Sequence, residues 1–149
     1  AYLELSVESN CEGLMLKTLK DTYEPDKRSY NWFKLKKDYM DTMGDSLDLV
    51  PIGAYYGTGK RTGVYGGYLL ACYNPDDDEY QAITKVATGL SDQNLKDFTK
   101  RLDEHKIDKP PGYYSLGKAK GSCDVWFEPA VVWEIKAADL SISPTYTAG

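Results

Sequence analysis

Two short strings near the start of the sequence carry side chains that could hold a metal ion or an anion. The first, E-G-L-M-L-K over Glu12–Lys17, places a carboxylate at the start of an apolar, strand-like run. A hard cation such as Mg²⁺ prefers oxygen ligands of this kind. On a strand, Met15 and Lys17 would share one face, apolar and then cationic. Taken alone, the string is more typical of an ordinary edge strand with a solvated lysine.

The second string places Lys34 and Lys36 in alternation with apolar residues. A strand here would put Trp32 on the face of the two lysines, with Phe33 and Leu35 on the other face. Like charges two residues apart on a strand repel each other, so they normally need an anion between them. A triphosphate could supply that anion. A solvated basic face fits the same pattern equally well.

A third candidate is the glycine-rich loop Gly57–Gly63, which contains Lys60 and Arg61. No acidic residue occurs from Gly57 to Cys72. Flexible glycines and two cations can approach a phosphate backbone closely. A mobile hairpin tip kept soluble by its charge is an equally good interpretation. The loop lacks the spacing of a P-loop.

Other kinds of site find little support in the sequence. His105 is the only histidine, so a metal site with several histidines is excluded. Cys11, Cys72 and Cys123 lie far apart and form no C-x-x-C pair. Neither a zinc site nor a disulfide framework is therefore indicated. We expect thiols that are buried or have no function, in a reducing compartment.

Composition bounds the class of protein. The chain has 149 residues, 18 basic and 23 acidic, with a formal net charge of −5. A hydrophobic content of 42%, with 13 Tyr and 3 Trp, is enough to fill a core. The length suits one ordinary domain, or a small domain with a piece of another. The charge excludes a generic basic nucleic-acid binder, and no apolar run reaches the roughly 18 residues of a membrane span.

The alternation and spacing of apolar residues predict mostly strands. We expect strands over 3–7, 13–19, 29–37, 46–56, 64–73, 79–88, 125–127 and 130–137, with a loop over 109–122. One helix is expected from an N-cap at Ser91 to Lys106. After residue 45 the order is three strands, a helix and further strands. This order is typical of the OB-fold, a five-stranded Greek-key barrel with one helix.

Taken together, the strings identify a family. E-G-L-M-L-K (12–17) and N-W-F-K-L-K-K-D-Y (31–39) resemble nucleotidyltransferase motifs IV and V of ATP-dependent DNA ligases. Further matching strings are D-L-V-P-I-G-A-Y-Y-G-T-G-K-R (48–61), Y-G-G-Y-L-L-A (65–71), T-G-L-S-D (88–92) and V-W-E-I-K-A-A-D-L-S-I-S-P (132–144). The resemblance covers nearly the whole chain and is strongest to the eukaryotic DNA ligase I type.

The resemblance implies roles for five residues around a nucleotide. Glu12 would help to hold the catalytic Mg²⁺, and Met15 would pack against the adenine ring. Lys17 would lie at the nucleotide site. Lys34 and Lys36 would hold the phosphates of ATP and favour phosphoryl transfer.

The resemblance also implies a domain organisation and a cellular role. Residues 1–40 would be the C-terminal segment of an adenylation (nucleotidyltransferase) domain, and 41–149 an OB-fold DNA-binding domain in which Lys60 and Arg61 contact DNA phosphates. The parent enzyme would use ATP and Mg²⁺ to seal nicks in double-stranded DNA during replication, repair and recombination. It would act in the nucleus as a monomer, in which this segment works with the rest of the ligase chain. It would not bind a membrane.

Two expected features of the family are missing from this sequence. The K-x-D-G motif that carries the nucleophilic lysine does not occur, and Lys36–Tyr39 is its nearest approach. The basic motif VI expected after Pro144 is also absent. We therefore expect a fragment that cannot adenylate itself and binds DNA weakly alone. Two alternatives stay open, a non-catalytic OB-fold nucleic-acid binding module and a relative of mRNA capping enzymes or RNA ligases.

Overall fold

The computed structural model describes residues 2–27, 29–36, 46–137 and 140–148. They belong to two compact units, one formed by residues 1–45 with 136–140 and the other by 46–135 with 141–149. The domain boundary that the sequence predicts between residues 40 and 41 lies outside the described residues, as do residues 37–39 of the second lysine string. Neither helix of the described ranges is long and apolar enough to cross a membrane.

The first unit contains a helix and a two-stranded antiparallel hairpin. The helix is α1 (Tyr2–Glu8), and the strands are β1 (Gly13–Lys17) and β2 (Trp32–Lys36). Both strands were expected from the alternation of apolar residues. The hairpin register places Met15 opposite Lys34.

The prediction of a strand over residues 3–7 is wrong, because this segment is the helix α1. Its backbone bonds are helical, with Ser9 N donating to Leu5 O over 3.0 Å. Glu4 lies in the first turn, where the helix dipole favours an acid. A run this short fits both a strand and a helix period, so alternation alone could not decide.

The second unit is a curled β-sheet with the OB-fold arrangement that the sequence predicts. Its elements in chain order are β3 (Leu47–Tyr56), β4 (Tyr65–Asn74), β5 (Glu79–Val86), α2 (Asp92–Asp103), β6 (Lys106–Ile107), β7 (Tyr114–Ser115), β8 (Val125–Phe127) and β9 (Trp133–Ile135). The strand order is β6-β8-β3-β4-β5-β7, and β9 also pairs with β3. The short strand β7, parallel to β5, lies inside the expected loop 109–122.

The helix α2 begins where the sequence predicts. The Ser91 side chain accepts a hydrogen bond from Asn94 N over 3.1 Å, and the Asn94 side chain accepts one from Ser91 N. This reciprocal cap satisfies backbone donors that the first turn would otherwise leave free. Leu95 and Leu102 are buried, so one face of the helix packs into the core.

Both faces of the sheet in this unit are covered by apolar side chains. One buried cluster lies between the sheet and α2 and contains Leu49, Ala54, Tyr65, Tyr68, Leu70, Leu95, Leu102, Val125, Phe127 and Val131. The other contains Val50, Ile52, Leu69, Ala71, Ala82, Tyr114, Leu116, Ala119 and Trp126. A sheet buried on both faces is a rigid support for the loops at its ends.

Buried tyrosines should make this unit sensitive to alkali. Burial raises the pKa of Tyr65, Tyr68 and Tyr114 above the ordinary value of 10.0. Above pH 10 the unfolded chain therefore loses protons that the folded chain keeps, so the free energy of unfolding should fall as pH rises. The expected slope is about 1.4 kcal/mol per pH unit for each such tyrosine. Urea unfolding between pH 8 and 11 measures it, and equal stability at both ends would contradict the prediction.

Candidate functional site

The hairpin of the first unit brings the predicted nucleotide-binding residues onto one face. Residues directly opposite each other in an antiparallel pair point to the same side of the sheet. The pairs are Gly13 with Lys36, Met15 with Lys34, and Lys17 with Trp32. The side chains of Met15, Lys17, Lys34 and Lys36 therefore share one face with Trp32.

A cleft of about 260 Å³ opens on this hairpin. Four of the five predicted residues line it, namely Glu12, Met15, Lys34 and Lys36. Met15 is 43% exposed, so it offers apolar surface to a ligand. Glu12 is the only acidic side chain among the described residues that line the cleft. The cleft thus combines apolar side chains with two cations, which suits a ligand that has an apolar part and an anionic part.

Lys17 is the predicted residue that does not line this cleft. Its ammonium nitrogen lies 4.2 Å from the centroid of the Trp32 ring and 5.6 Å from that of Tyr23. Such contacts hold a cation by the negative face of the ring without cancelling its charge. Trp32 therefore orients Lys17, a role that the position of Trp32 on the lysine face could have suggested.

The side chains of the cleft could bind a magnesium ion only together with the phosphates of a ligand. Among the described residues, no three His, Cys, Asp or Glu side chains come together, so this part of the chain has no all-protein metal cage. Mg²⁺ usually keeps several waters and binds through one or two carboxylates and the phosphates of a substrate. Glu12, beside Lys34 and Lys36, supplies one carboxylate next to cations that attract phosphates. The residues present are compatible with that mode of binding.

Gly13 is required by the close approach of the two strands. Its φ is +140°, and a Cβ placed on it would lie 2.1 Å from Leu35 O. Gly13→Ala should therefore force the strands apart and disorder the Met15–Lys34 face. We expect this variant to lose the cross-strand contacts between Met15 and Lys34 in an NMR spectrum, while the second unit keeps its signals. Retention of those contacts would contradict the prediction.

The basic loop of the second unit uses its two cations differently. Arg61 ends a short 3-10 turn, and its Nη1 donates to Ala87 O over 2.8 Å and to Gly66 O over 3.3 Å. The Lys60 side chain is exposed. Arg61 therefore fastens the loop to the sheet through part of its guanidinium, while Lys60 faces solvent.

Comparison with protein families matches two separate regions of the chain. The family described as "ATP dependent DNA ligase C terminal region" matches residues 61–146. The family described as "ATP dependent DNA ligase domain" matches residues 1–36. The first match covers more than half of the chain and includes most of the OB-fold unit. The second covers the hairpin with the lysine face.

Curated relatives are similar over almost the whole chain. DNA ligase 1 of Dictyostelium discoideum is 58% identical over 150 residues, which cover 99% of this chain and 12% of that protein. DNA ligase 1 of Arabidopsis thaliana is 56% identical over 149 residues, 99% of this chain and 19% of that protein. DNA ligase 1 of Saccharomyces cerevisiae is 51% identical over 151 residues, 99% of this chain and 20% of that protein. The chain thus spans a fifth or less of the length of these relatives.

Among solved structures, the ligase domain of LigD from M. tuberculosis shares the fold. The TM-score is 0.58 at 23% sequence identity, and the match covers 93% of this chain and 42% of that chain. This likeness supports the architecture of the described residues, including the OB-fold.

Proposed function

The chain belongs to the ATP-dependent DNA ligase family, and from that premise we propose that it is part of an enzyme that seals nicks in double-stranded DNA. The observation that carries the proposal is the hairpin on which Met15 lies opposite Lys34 and lines one cleft with Lys34, Lys36 and Glu12. The hairpin offers apolar surface for a base and cations for phosphates. The sequence identity to DNA ligase 1 proteins supports the same conclusion.

The proposed reaction has three steps. A lysine attacks the α-phosphate of ATP, which forms a lysyl-AMP and releases pyrophosphate. The AMP then moves to the 5′-phosphate at the nick, which frees the lysine. The 3′-hydroxyl finally attacks that 5′-phosphate, which forms the phosphodiester bond and releases AMP. Each step transfers a phosphoryl-type group, so the protein contributes mainly positioning and charge neutralisation. The nucleophilic lysine lies in a K-x-D-G motif that this sequence does not contain.

The residues of the hairpin face would perform the positioning in the first step. Met15 would pack on the adenine ring, and Lys34 and Lys36 would hold the phosphates. Lys17, held above Trp32, would lie at the edge of the nucleotide. Because these cations are placed before ATP arrives, little reorganisation is needed as charge develops in the transition state.

Glu12 would hold the catalytic Mg²⁺ through its carboxylate. When bound, the ion neutralises charge on the reacting phosphates. Lys34 and Lys36 would neutralise further negative charge on the same phosphates.

We further propose the organisation and setting of the parent protein. Residues 1–40 would complete an adenylation domain, and 41–149 would form an OB-fold domain that binds nicked duplex DNA through Lys60 and Arg61. The parent ligase would act in the nucleus during replication, repair and recombination, as a monomer in which this chain works with the rest of the ligase.

A segment exchange tests this function. The chain would replace the corresponding 150-residue region of Dictyostelium DNA ligase 1, to which it is 58% identical. We expect the exchanged enzyme to seal a nicked duplex with ATP. A matched exchange carrying Lys34→Ala and Lys36→Ala should fold and fail to seal. An exchanged enzyme that folds and binds nicked DNA without forming lysyl-AMP would favour a non-catalytic binding module, while sealing only nicked RNA would favour an RNA ligase relative.

The isolated chain should not adenylate itself, because it lacks the K-x-D-G lysine. Incubation with α-labelled ATP and Mg²⁺, followed by denaturing electrophoresis, should show no labelled protein. A full-length DNA ligase 1 labelled in parallel is the positive control. A stable lysyl-AMP on the isolated chain would contradict this prediction.

A further inference from the structure

A second cleft lies in the OB-fold unit, next to the end of the β3–β4 hairpin. Its volume is about 190 Å³, and Arg61 and Lys85 are the cations among its lining residues. None of the described residues that line it is acidic. Lys85 lies outside the strings that carry the family resemblance, and the sequence pattern alone assigns it no role.

Lys85 is held by an arrangement that crosses three neighbouring strands. Its ammonium nitrogen, on β5, lies 3.5 Å from the centroid of the Tyr55 ring on β3. The strand β4 runs between them, and there a Cβ placed on Gly67 would lie 3.5 Å from the Lys85 Cε. Because glycine has no side chain, the aliphatic part of Lys85 can pass over β4 to reach the ring.

The aromatic partner of Lys85 stays uncharged. Burial raises the pKa of Tyr55 to about 12, so the phenol keeps its proton at neutral pH. The Ser122 hydroxyl donates to Ala119 O over 2.7 Å, and the Tyr55 hydroxyl can therefore donate to Ser122 Oγ over 2.9 Å. The ring is fixed in place, and its face stabilises the ammonium without neutralising it.

The partners of Arg61 are also uncharged. They are the carbonyl oxygens of Gly66 and Ala87. Within the described residues, neither Arg61 nor Lys85 forms an ion pair with a carboxylate. The carboxylate of Asp124, on the neighbouring surface, accepts a hydrogen bond from Tyr56 N over 2.8 Å. Both cations of the cleft therefore keep their full charge, although neutral groups hold them in place.

We propose that this cleft binds one phosphodiester group of the DNA backbone, with Lys85 as the contacting cation and Tyr55 as its positioning residue. The inference rests on the proposed DNA binding of the OB-fold unit and adds a contact outside the Gly57–Gly63 loop. A lysine binds phosphate as a point charge, which suits contact without sequence preference.

The salt dependence of DNA binding tests the role of Lys85. The affinity of the 149-residue chain for a nicked duplex would be measured over a range of salt concentrations that begins at low salt, where the weak binding expected of this chain is strongest. Log K falls as log salt rises, and each lost phosphate contact should reduce the steepness of that fall by about 0.9. We expect that decrease for Lys85→Gln and no decrease for Lys106→Gln, a matched change of an exposed lysine on β6. Thermal unfolding of both variants checks that they fold.

Two variants of Tyr55 test its positioning role. Tyr55→Phe keeps the ring and should bind the nicked duplex as the unchanged chain does. Tyr55→Leu removes the ring without altering the charge, so the affinity should fall severalfold, with Lys85 still present. Equal binding by these two variants at equal thermal stability would overturn the positioning role.

The outcomes separate this inference from the proposed function. If the unchanged chain does not bind nicked DNA, the DNA-binding part of the proposed function fails, and this inference fails with it. If the chain binds and Lys85→Gln keeps the full salt slope, only this inference is overturned. Competition by ATP that depends on Lys85 would assign the cleft to a free nucleotide and would also overturn it.

Discussion

Lys34→Ala is expected to slow lysyl-AMP formation about 100-fold, the size of effect seen when one preorganised donor to a transition state is removed. The assay would use the segment-exchanged Dictyostelium ligase, with the rate measured at saturating ATP. Lys34 lies opposite Met15 on the hairpin and lines the cleft beside Glu12. Its charge is placed where the phosphates of a nucleotide packed on Met15 would lie.

Two further variants control this experiment. Lys20→Ala removes an exposed lysine of the same unit that belongs to neither strand, and it should leave the rate unchanged. Lys34→Arg keeps the positive charge and should retain part of the activity. A rate for Lys34→Ala within twofold of the unchanged enzyme would exclude the proposed phosphate contact.

Phe127→Ala is expected to cost the OB-fold unit about 3–5 kcal/mol of unfolding free energy. The side chain is fully buried, and its ring meets that of Tyr65 edge-on at a centroid distance of 5.5 Å. The change removes these contacts and leaves a cavity between the sheet and α2. Since small domains are stable by only about 5–15 kcal/mol, this loss would be a large fraction of the stability of the unit.

Urea unfolding followed by tryptophan fluorescence measures the effect. Trp126 is buried and precedes Phe127 on β8, so its emission reports on the folding of this unit. Phe127→Leu leaves a smaller cavity and should therefore cost less than Phe127→Ala. A loss below about 1 kcal/mol for Phe127→Ala would show that the core closes around the deleted ring.

Local sequence signals predicted much of the architecture. Alternation placed Trp32, Lys34 and Lys36 on one face because strand side chains point to opposite sides with a period of two. The α2 start was predictable because the Ser91 cap is made by residues close in sequence. The same local logic failed for residues 3–7, where a short run is compatible with both a strand and a helix.

The roles of individual cations depended on contacts between distant residues. Lys17 was expected at the nucleotide, yet the hairpin register sets it above Trp32. Arg61 was expected to face DNA phosphate, yet part of its guanidinium binds Ala87 O across the sheet. Neither partner is near in sequence. The nucleotide contact of Lys17 and the DNA contact of Arg61 stay predictions. The structure shows which groups hold each of these two side chains in place.

The sequence by itself determined the family, the order of strands around one helix, and the face on which the hairpin lysines lie. Only the tertiary structure decided where Lys85 points. A bulge shifts the register between β4 and β5, so that Leu69 pairs with Lys85 while Ala71 pairs with Ala82. Without the bulge, strict alternation would place Lys85 on the same side of the strand as Ile83. The extra residue of the bulge moves the side chains that follow it to the opposite side. The bulge turns it instead toward Gly67 and Tyr55, where three strands together hold one cation.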